Sequence, residues 1–195
     1  MTKTGAFDER FSARRKWKRD AGLLRALQWL FPPCYDMRFV LDVGAGGGAY
    51  VEWFADQGYA AGGVDGTPNI YKISEGQVIE FDLSVYNERL PDVVFGQVVE
   101  VFGAICIEVG EHIPPQFAGA VFDNLAATRA ATLVVSWATP GQRGRGHVNC
   151  LNPNAVALQM LARGYQLDAR TDEARRLAGR GWDHKLLVFK RVKNA

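Results

Sequence analysis

The fold class this sequence predicts is α/β, a single doubly wound domain, and three observations predict it. The apolar run Val40-Leu41-Asp42-Val43 breaks into glycines at 44, 46, 47 and 48, the pattern of a buried parallel strand entering a tight ligand loop. Short apolar runs then alternate with helical segments as far as residue 191. The 195 residues suffice for one domain with a full core.

Residues 1–37 are expected to form a basic helical extension or lid, with the sheet domain occupying 38–195. Arg10, Arg14, Arg15, Lys16, Lys18 and Arg19 are interleaved with Phe7, Phe11 and Trp17. Leu23, Leu24, Leu27 and Leu30 recur near helical spacing, and Phe31-Pro32-Pro33 ends that segment. A basic, aromatic-bearing segment suits an RNA or another anionic partner. It equally suits an amphipathic lid helix with a solvated basic face, the reading favoured by the near-neutral remainder of the chain.

The first strand is expected near 39–43, followed by a helix near 49–57 that Gly58 closes. Strands two and three fall near 60–64 and 77–81. In residues 84–100, Val98-Val99-Glu100-Val101 fits an extra strand or part of a helix. Strand four is read as Ala104–Glu108, and Pro114-Pro115-Gln116 opens a helix to about Ala130. Strand five is Thr132–Trp137, where Trp137 either stacks on substrate or fills the core. Asn152 caps a helix with Pro153 at its first position, and Gly164 ends it. Residues 165–169 and 185–191 complete seven strands, with Asp172–Arg176 between them read as a solvated face, Trp182 as cover for the sheet and His184 as structural.

The glycine loop points to a nucleotide-like ligand. A triphosphate-binding loop needs Gly-Lys-Ser/Thr, whereas Gly48 is followed by Ala49-Tyr50-Val51. Gly44-x-Gly46-x-x-Ala49 accommodates a dinucleotide fingerprint on glycines alone. Asp42 argues against it, because a carboxylate there would repel a pyrophosphate. It suits a cation such as the α-amino group of S-adenosylmethionine. Asp65 ends the second strand, where it can accept hydrogen bonds from both ribose hydroxyls, and Asp82 follows the third.

Asp42-x-Gly44-x-Gly46-x-Gly48, then Asp65, then Asp82, resembles the class I S-adenosylmethionine-dependent methyltransferases over roughly residues 38–191. The resemblance implies a Rossmann-like, seven-stranded domain with an antiparallel last strand, and S-adenosylmethionine as cofactor. It implies that the glycine loop lies under the methionine moiety, that Asp65 holds the ribose, and that Asp82 with Leu83 sits by the adenine.

The acceptor side is expected at the ends of strands four and five. Two of the three histidines lie there, in Glu108-Val109-Gly110-Glu111-His112 and in the Gly-rich loop 139–149 that carries His147. Glu108, Glu111, His112 and His147 are candidate ligands for a divalent ion such as Mg or Mn, which would acidify and orient an acceptor hydroxyl. Glu108 is also assigned to the cofactor wall. The cluster is similar to those of two metal-assisted O-methyltransferase groups, one acting on quinone precursors and one on the terminal 2′-hydroxyl of small RNAs. Without a metal, His112 or His147 can serve as general base, and Glu111 completes the catalytic set. Arg143 and Arg145 make the loop cationic, fit to close over an anionic or sugar-like substrate or to remain a surface loop.

These readings converge on a methyltransferase for a small-molecule or sugar hydroxyl, with an RNA acceptor or a non-catalytic cofactor-binding subunit as the alternatives. A net charge of +2 demands no polyanionic partner. No apolar run reaches the ~18 residues of a membrane span. Three cysteines without paired spacing read as reduced thiols, and the N-terminus lacks the apolar core of a signal peptide, so a cytoplasmic protein is expected.

Overall fold

A computed structural model describes residues 2–6 and 19–192. The basic segment therefore lies, apart from Arg19, outside the described residues. Helix α1 (Ala21–Leu30) opens on Asp20, whose Oδ1 accepts the Leu23 N–H at 2.8 Å. Leu23, Ala26, Leu27 and Leu30 are buried, as their helical spacing predicts.

The sheet comprises β1 (Phe39–Val43), β2 (Ala60–Asp65), β3 (Val78–Glu80), β4 (Val101–Cys106), β5 (Thr132–Ser136), β6 (Tyr165–Leu167) and β7 (Leu186–Arg191). Its order is β3-β2-β1-β4-β5-β7-β6. The first five strands pair in parallel, while β7 runs antiparallel to both β5 and β6. This is the seven-stranded doubly wound sheet expected, with its antiparallel last strand.

Helices α2 (Ala49–Asp56) and α7 (Thr171–Ala178) join α1 on one face, where Phe54, Leu27 and Ala174 pack with Val40, Ile105 and Val134. On the other face, α4 (Leu90–Phe95), α5 (Ala118–Ala127) and α6 (Pro153–Leu161) pack with Leu41, Ala104, Leu133 and Leu187. Helix α3 (Ile70–Ile73) is a single turn beside β3. Burying both faces explains the near-continuous apolar strands. No helix among the described residues is long and apolar enough to cross a membrane.

Several boundaries differ from the sequence reading. Strand β4 begins and ends earlier than expected, and of Val98–Val101 only Val101 joins it. Asp92-Val93-Val94-Phe95 is helical: Pro91 opens α4, Gly96 closes it with φ 66°, and Val94 lies against the bare Cα of Gly62 on β2. The helix expected from Pro114 starts as a 3₁₀ turn at Pro115–Phe117 before α5, and a second 3₁₀ turn at Gly110–His112 precedes it. Asn152 occupies the N-cap of α6, but its side chain makes no capping hydrogen bond. Asp172–Arg176 belongs to helix α7, which shows solvent its charges and buries Ala174 and Ala178.

Candidate active site

Parallel strands deliver their carboxyl ends to one edge of the sheet, and the expected residues meet there. After β1 the backbone turns through Gly44 (φ 85°) and Gly46 (φ 53°) to Gly48 (φ 84°), which heads α2. Gly44 is required twice, for its positive φ and because a Cβ would run into the Val109 side chain. The Gly44 and Ala45 N–H groups donate to the Val64 carbonyl at 2.8 and 2.9 Å, and the Gly46 N–H donates to Asp65 Oδ2 at 2.9 Å. Asp65 Oδ1 accepts the Thr67 N–H at 2.8 Å.

Asp42 points inward from β1 and is 3% exposed. Its Oδ2 has no hydrogen-bond partner, and burial, helped by the charge of Asp65, pushes its pKa up to about 8. A buried carboxylate oxygen without a donor is a place for a cation. Asp82 accepts the Ser84 N–H at 2.9 Å and, with Leu83, bounds the same cavity.

That cavity, of about 500 Å³, runs from the glycine loop to Glu108, His112 and His147. Glu111 is wholly buried and does not line it; no side-chain donor reaches its carboxylate, which has only the backbone N–H groups of Glu111 and Ala138 beside it. Burial first, then the charge of Glu108, pushes its pKa up to about 7. Its backbone carbonyl accepts the Val148 and Asn149 N–H groups at 2.9 and 3.1 Å, which fastens the 139–149 loop to the end of β4. Glu111, His112 and His147 each present a ligand atom within 4.8 Å of the others.

Both imidazoles are oriented. His112 Nδ1 lies 3.2 Å from the Gly146 carbonyl, and His147 Nδ1 lies 3.2 Å from the Gln142 carbonyl. A carbonyl only accepts, so the Nδ1 atoms carry the protons and Nε2 holds the lone pair in each neutral ring. Burial lowers the pKa of His112, which favours that neutral form. Two imidazoles anchored through Nδ1 beside a buried carboxylate are a donor set that fits a divalent ion. Gly144 gives His147 its room, since a Cβ there would collide with the ring.

Glu108 stands apart from this set. Its backbone N–H donates to Ser136 Oγ at 2.8 Å, Ser136 Oγ donates to Oε1 at 2.8 Å, and Lys185 Nζ reaches Oε2 at 2.7 Å. Sequence reasoning assigned no role to Ser136 or Lys185, nor to Thr4, Gly5, Ala6 and Tyr50, which line the cavity. Trp182 also lines it, with its Nε1 donating to Asp20 Oδ1 at 3.1 Å. Trp137 fills the core: its ring stacks on Phe122, and its Nε1 donates to the Asn149 carbonyl at 2.6 Å. Arg145 lines the cavity, and His184 is an exposed partner of Asp183.

No family model matches the chain, and no curated protein matches it. Solved structures do. The sugar N-methyltransferase of Streptoalloteichus sp. ATCC 53650 superimposes with a TM-score of 0.68 at 14% identity, covering 96% of this chain and 94% of that one. The amino pentose methyltransferase of Micromonospora echinaspora gives 0.65 at 15% identity over 94% and 95%. A TehB-like S-adenosylmethionine-dependent methyltransferase of Corynebacterium glutamicum gives 0.63 at 16% identity over 90% of each chain. The fold is that of the class I methyltransferases. Within this fold, the glycine loop with its acids and the imidazoles of His112 and His147 line a single cleft, and Glu111 is buried next to the two imidazoles.

Proposed function

We propose that this chain is an S-adenosylmethionine-dependent methyltransferase acting on a hydroxyl of a small molecule or sugar. The observation that carries the reading is the shared cavity. The residues of the donor wall and the two histidines of the Glu111–His112–His147 cluster line the same space of about 500 Å³, with Glu111 buried behind them. That volume lies in the range of small-ligand sites. Two of the structural neighbours are named for sugar substrates, which supports an acceptor of that size.

On the donor side, Asp42 takes the α-amino group of the methionine moiety, and the Gly44–Gly48 loop lies beneath it. Asp65 accepts from the ribose hydroxyls with the lone pairs left over from Gly46 and Thr67. Asp82 and Leu83 flank the adenine. Methyl transfer is an in-line displacement at the methyl carbon, with the sulfonium sulfur leaving as a thioether, so alignment of donor and acceptor is the main task. The acceptor hydroxyl must also lose its proton: His112 and His147 line the cavity, and the buried Glu111, its pKa pushed up to about 7, lies within 4.8 Å of their ring nitrogens to receive the proton by relay.

Glu111, His112 and His147 would hold a divalent ion, which supplies acidification of the acceptor hydroxyl when bound. Two imidazoles in the set favour Mn over Mg.

Calorimetry with S-adenosylmethionine and S-adenosylhomocysteine tests the donor site, and micromolar binding of both is expected. A methyl-release assay against sugars, phenols and short RNAs tests the acceptor. Failure of either nucleoside to bind would overturn the reading.

A further inference from the structure

Glu108 carries features that the proposed reaction does not use. Its backbone has φ 58°, a left-handed conformation that costs a non-glycine residue about 1 kcal/mol or more and persists only where neighbours enforce it. Ser136 enforces it with a closed pair of hydrogen bonds, accepting from the Glu108 N–H and donating to Oε1. Lys185 is 7% exposed, spends its ammonium on Oε2, and rests 4.7 Å from the centre of the Trp182 ring. A buried lysine is expensive unless it is paired, so this cation is committed to Glu108. The three meet because β5 and β7 are antiparallel: Ser136 at the end of β5 pairs with Leu186 at the start of β7, and β4 lies on the other side of β5.

We infer that Lys185 and Ser136 are positioning residues that withdraw Glu108 from the cation-binding set and fix it as a hydrogen-bond acceptor where the donor wall meets the acceptor residues. The divalent-ion face is then three-membered, made of Glu111, His112 and His147. Glu108 turns its remaining lone pairs to the cavity, ready for an N–H or O–H of the acceptor or donor. Lys185 supplies to Glu108 the positive charge that an ion would otherwise supply. This rests on the reading of the cleft as a transferase site, yet its test needs no acceptor substrate.

The probe is Mn(II), titrated into the apoprotein and followed by electron paramagnetic resonance. The informative variant is the double substitution Lys185→Met with Glu108→Gln, which removes both charges and leaves the pair neutral. It is expected to bind Mn(II) within threefold of the wild-type protein, whereas Glu111→Gln weakens binding at least tenfold. Lys185→Met alone frees the Glu108 carboxylate and is expected to tighten binding severalfold; Lys185→Arg, which keeps the cation, stays in the wild-type range. If the wild-type protein binds no Mn(II), the three-membered face is overturned, whatever Lys185→Met does. A tenfold loss in the double variant overturns it by making Glu108 a ligand. Unchanged Mn(II) affinity in Lys185→Met, or no binding in either protein, also overturns it. Thermal melts confirm that each variant is folded. S-adenosylhomocysteine binding on the same samples separates failure of the transferase reading from failure of the lysine inference.

Discussion

Asp65 on β2 holds the glycine loop in place by accepting the Gly46 N–H at 2.9 Å. The same carboxylate accepts the Thr67 N–H, so one side chain fixes two loops of the donor wall before any ligand arrives. Hydrogen bonds to a charged group contribute about 1.5–3 kcal/mol each. Asp65→Ala is therefore expected to lower Tm by several degrees and to weaken S-adenosylhomocysteine binding at least tenfold. Asp65→Asn, with one carbonyl oxygen left, should fall between. Calorimetry and thermal melts check both, and a variant that melts and binds like the wild-type protein would remove Asp65 from the donor wall.

Burial of Asp42 and Glu111 makes the apoprotein pH-sensitive. Their folded pKa values, about 8 and about 7, lie above the ordinary 3.8 and 4.5. The folded state holds the extra protons, so this contribution is present at low pH and is lost as pH rises through 7 and 8. His112 acts in the opposite sense, but only below its ordinary value of 6.5. The clean window is thus pH 6.5 to 8, where Tm of the apoprotein is expected to fall. A loss of about 2 kcal/mol corresponds to roughly 4–8 °C in a chain of this size. Asp42→Asn should flatten the slope, and a Tm that is level or rising across the window would contradict the burial argument.

Much of the donor wall is local in the sequence, which is why it can be read there. Asp42 lies on β1 with Gly44 and Gly46 just after it, and parallel strands carry Asp65, at the end of β2, and Asp82, after β3, to the same edge. Lys185 is hidden because β7 runs the other way: its amino-terminal end, not its carboxyl end, reaches the cleft. No periodicity announces that reversal. Strand four is misplaced for a different reason. Gly103 breaks its apolar run just before the expected start at Ala104, while Val98–Val101 reads equally as strand or helix. Thr4–Ala6 gives no pattern at all, since backbone shape and not side-chain type seats it beside the cavity.

Glu111 should separate chemistry from donor binding. Glu111→Gln keeps the size of the side chain and one oxygen for the backbone N–H groups of Glu111 and Ala138 beside it, so it removes a base with little change of structure. The expected result is a fall in kcat of about 10²–10⁴-fold with S-adenosylhomocysteine affinity unchanged. In the wild-type enzyme kcat should rise with pH through about 7 as Glu111 ionises, and that limb should vanish in the variant. Initial rates from pH 6 to 9 decide it; a variant that retains the limb would assign the titration to another group.

Gly5 is expected to control exchange of the cofactor. Residues 4–6 border the cavity and bridge its two walls: a Cβ on Gly5 would strike the His112 carbonyl, and Ala6 lies against the Cα of Gly66 beyond β2. Gly5 also has φ 97°, a conformation closed to valine without strain. Gly5→Val should therefore lift this strap while leaving the sheet and its helices intact. Dissociation of S-adenosylhomocysteine, followed by stopped-flow fluorescence, is expected to speed up about tenfold. Removal of residues 2–6 should reproduce the faster release, because either change opens the same side of the cleft. Unaltered dissociation in both variants would show that the strap borders the donor site without closing it.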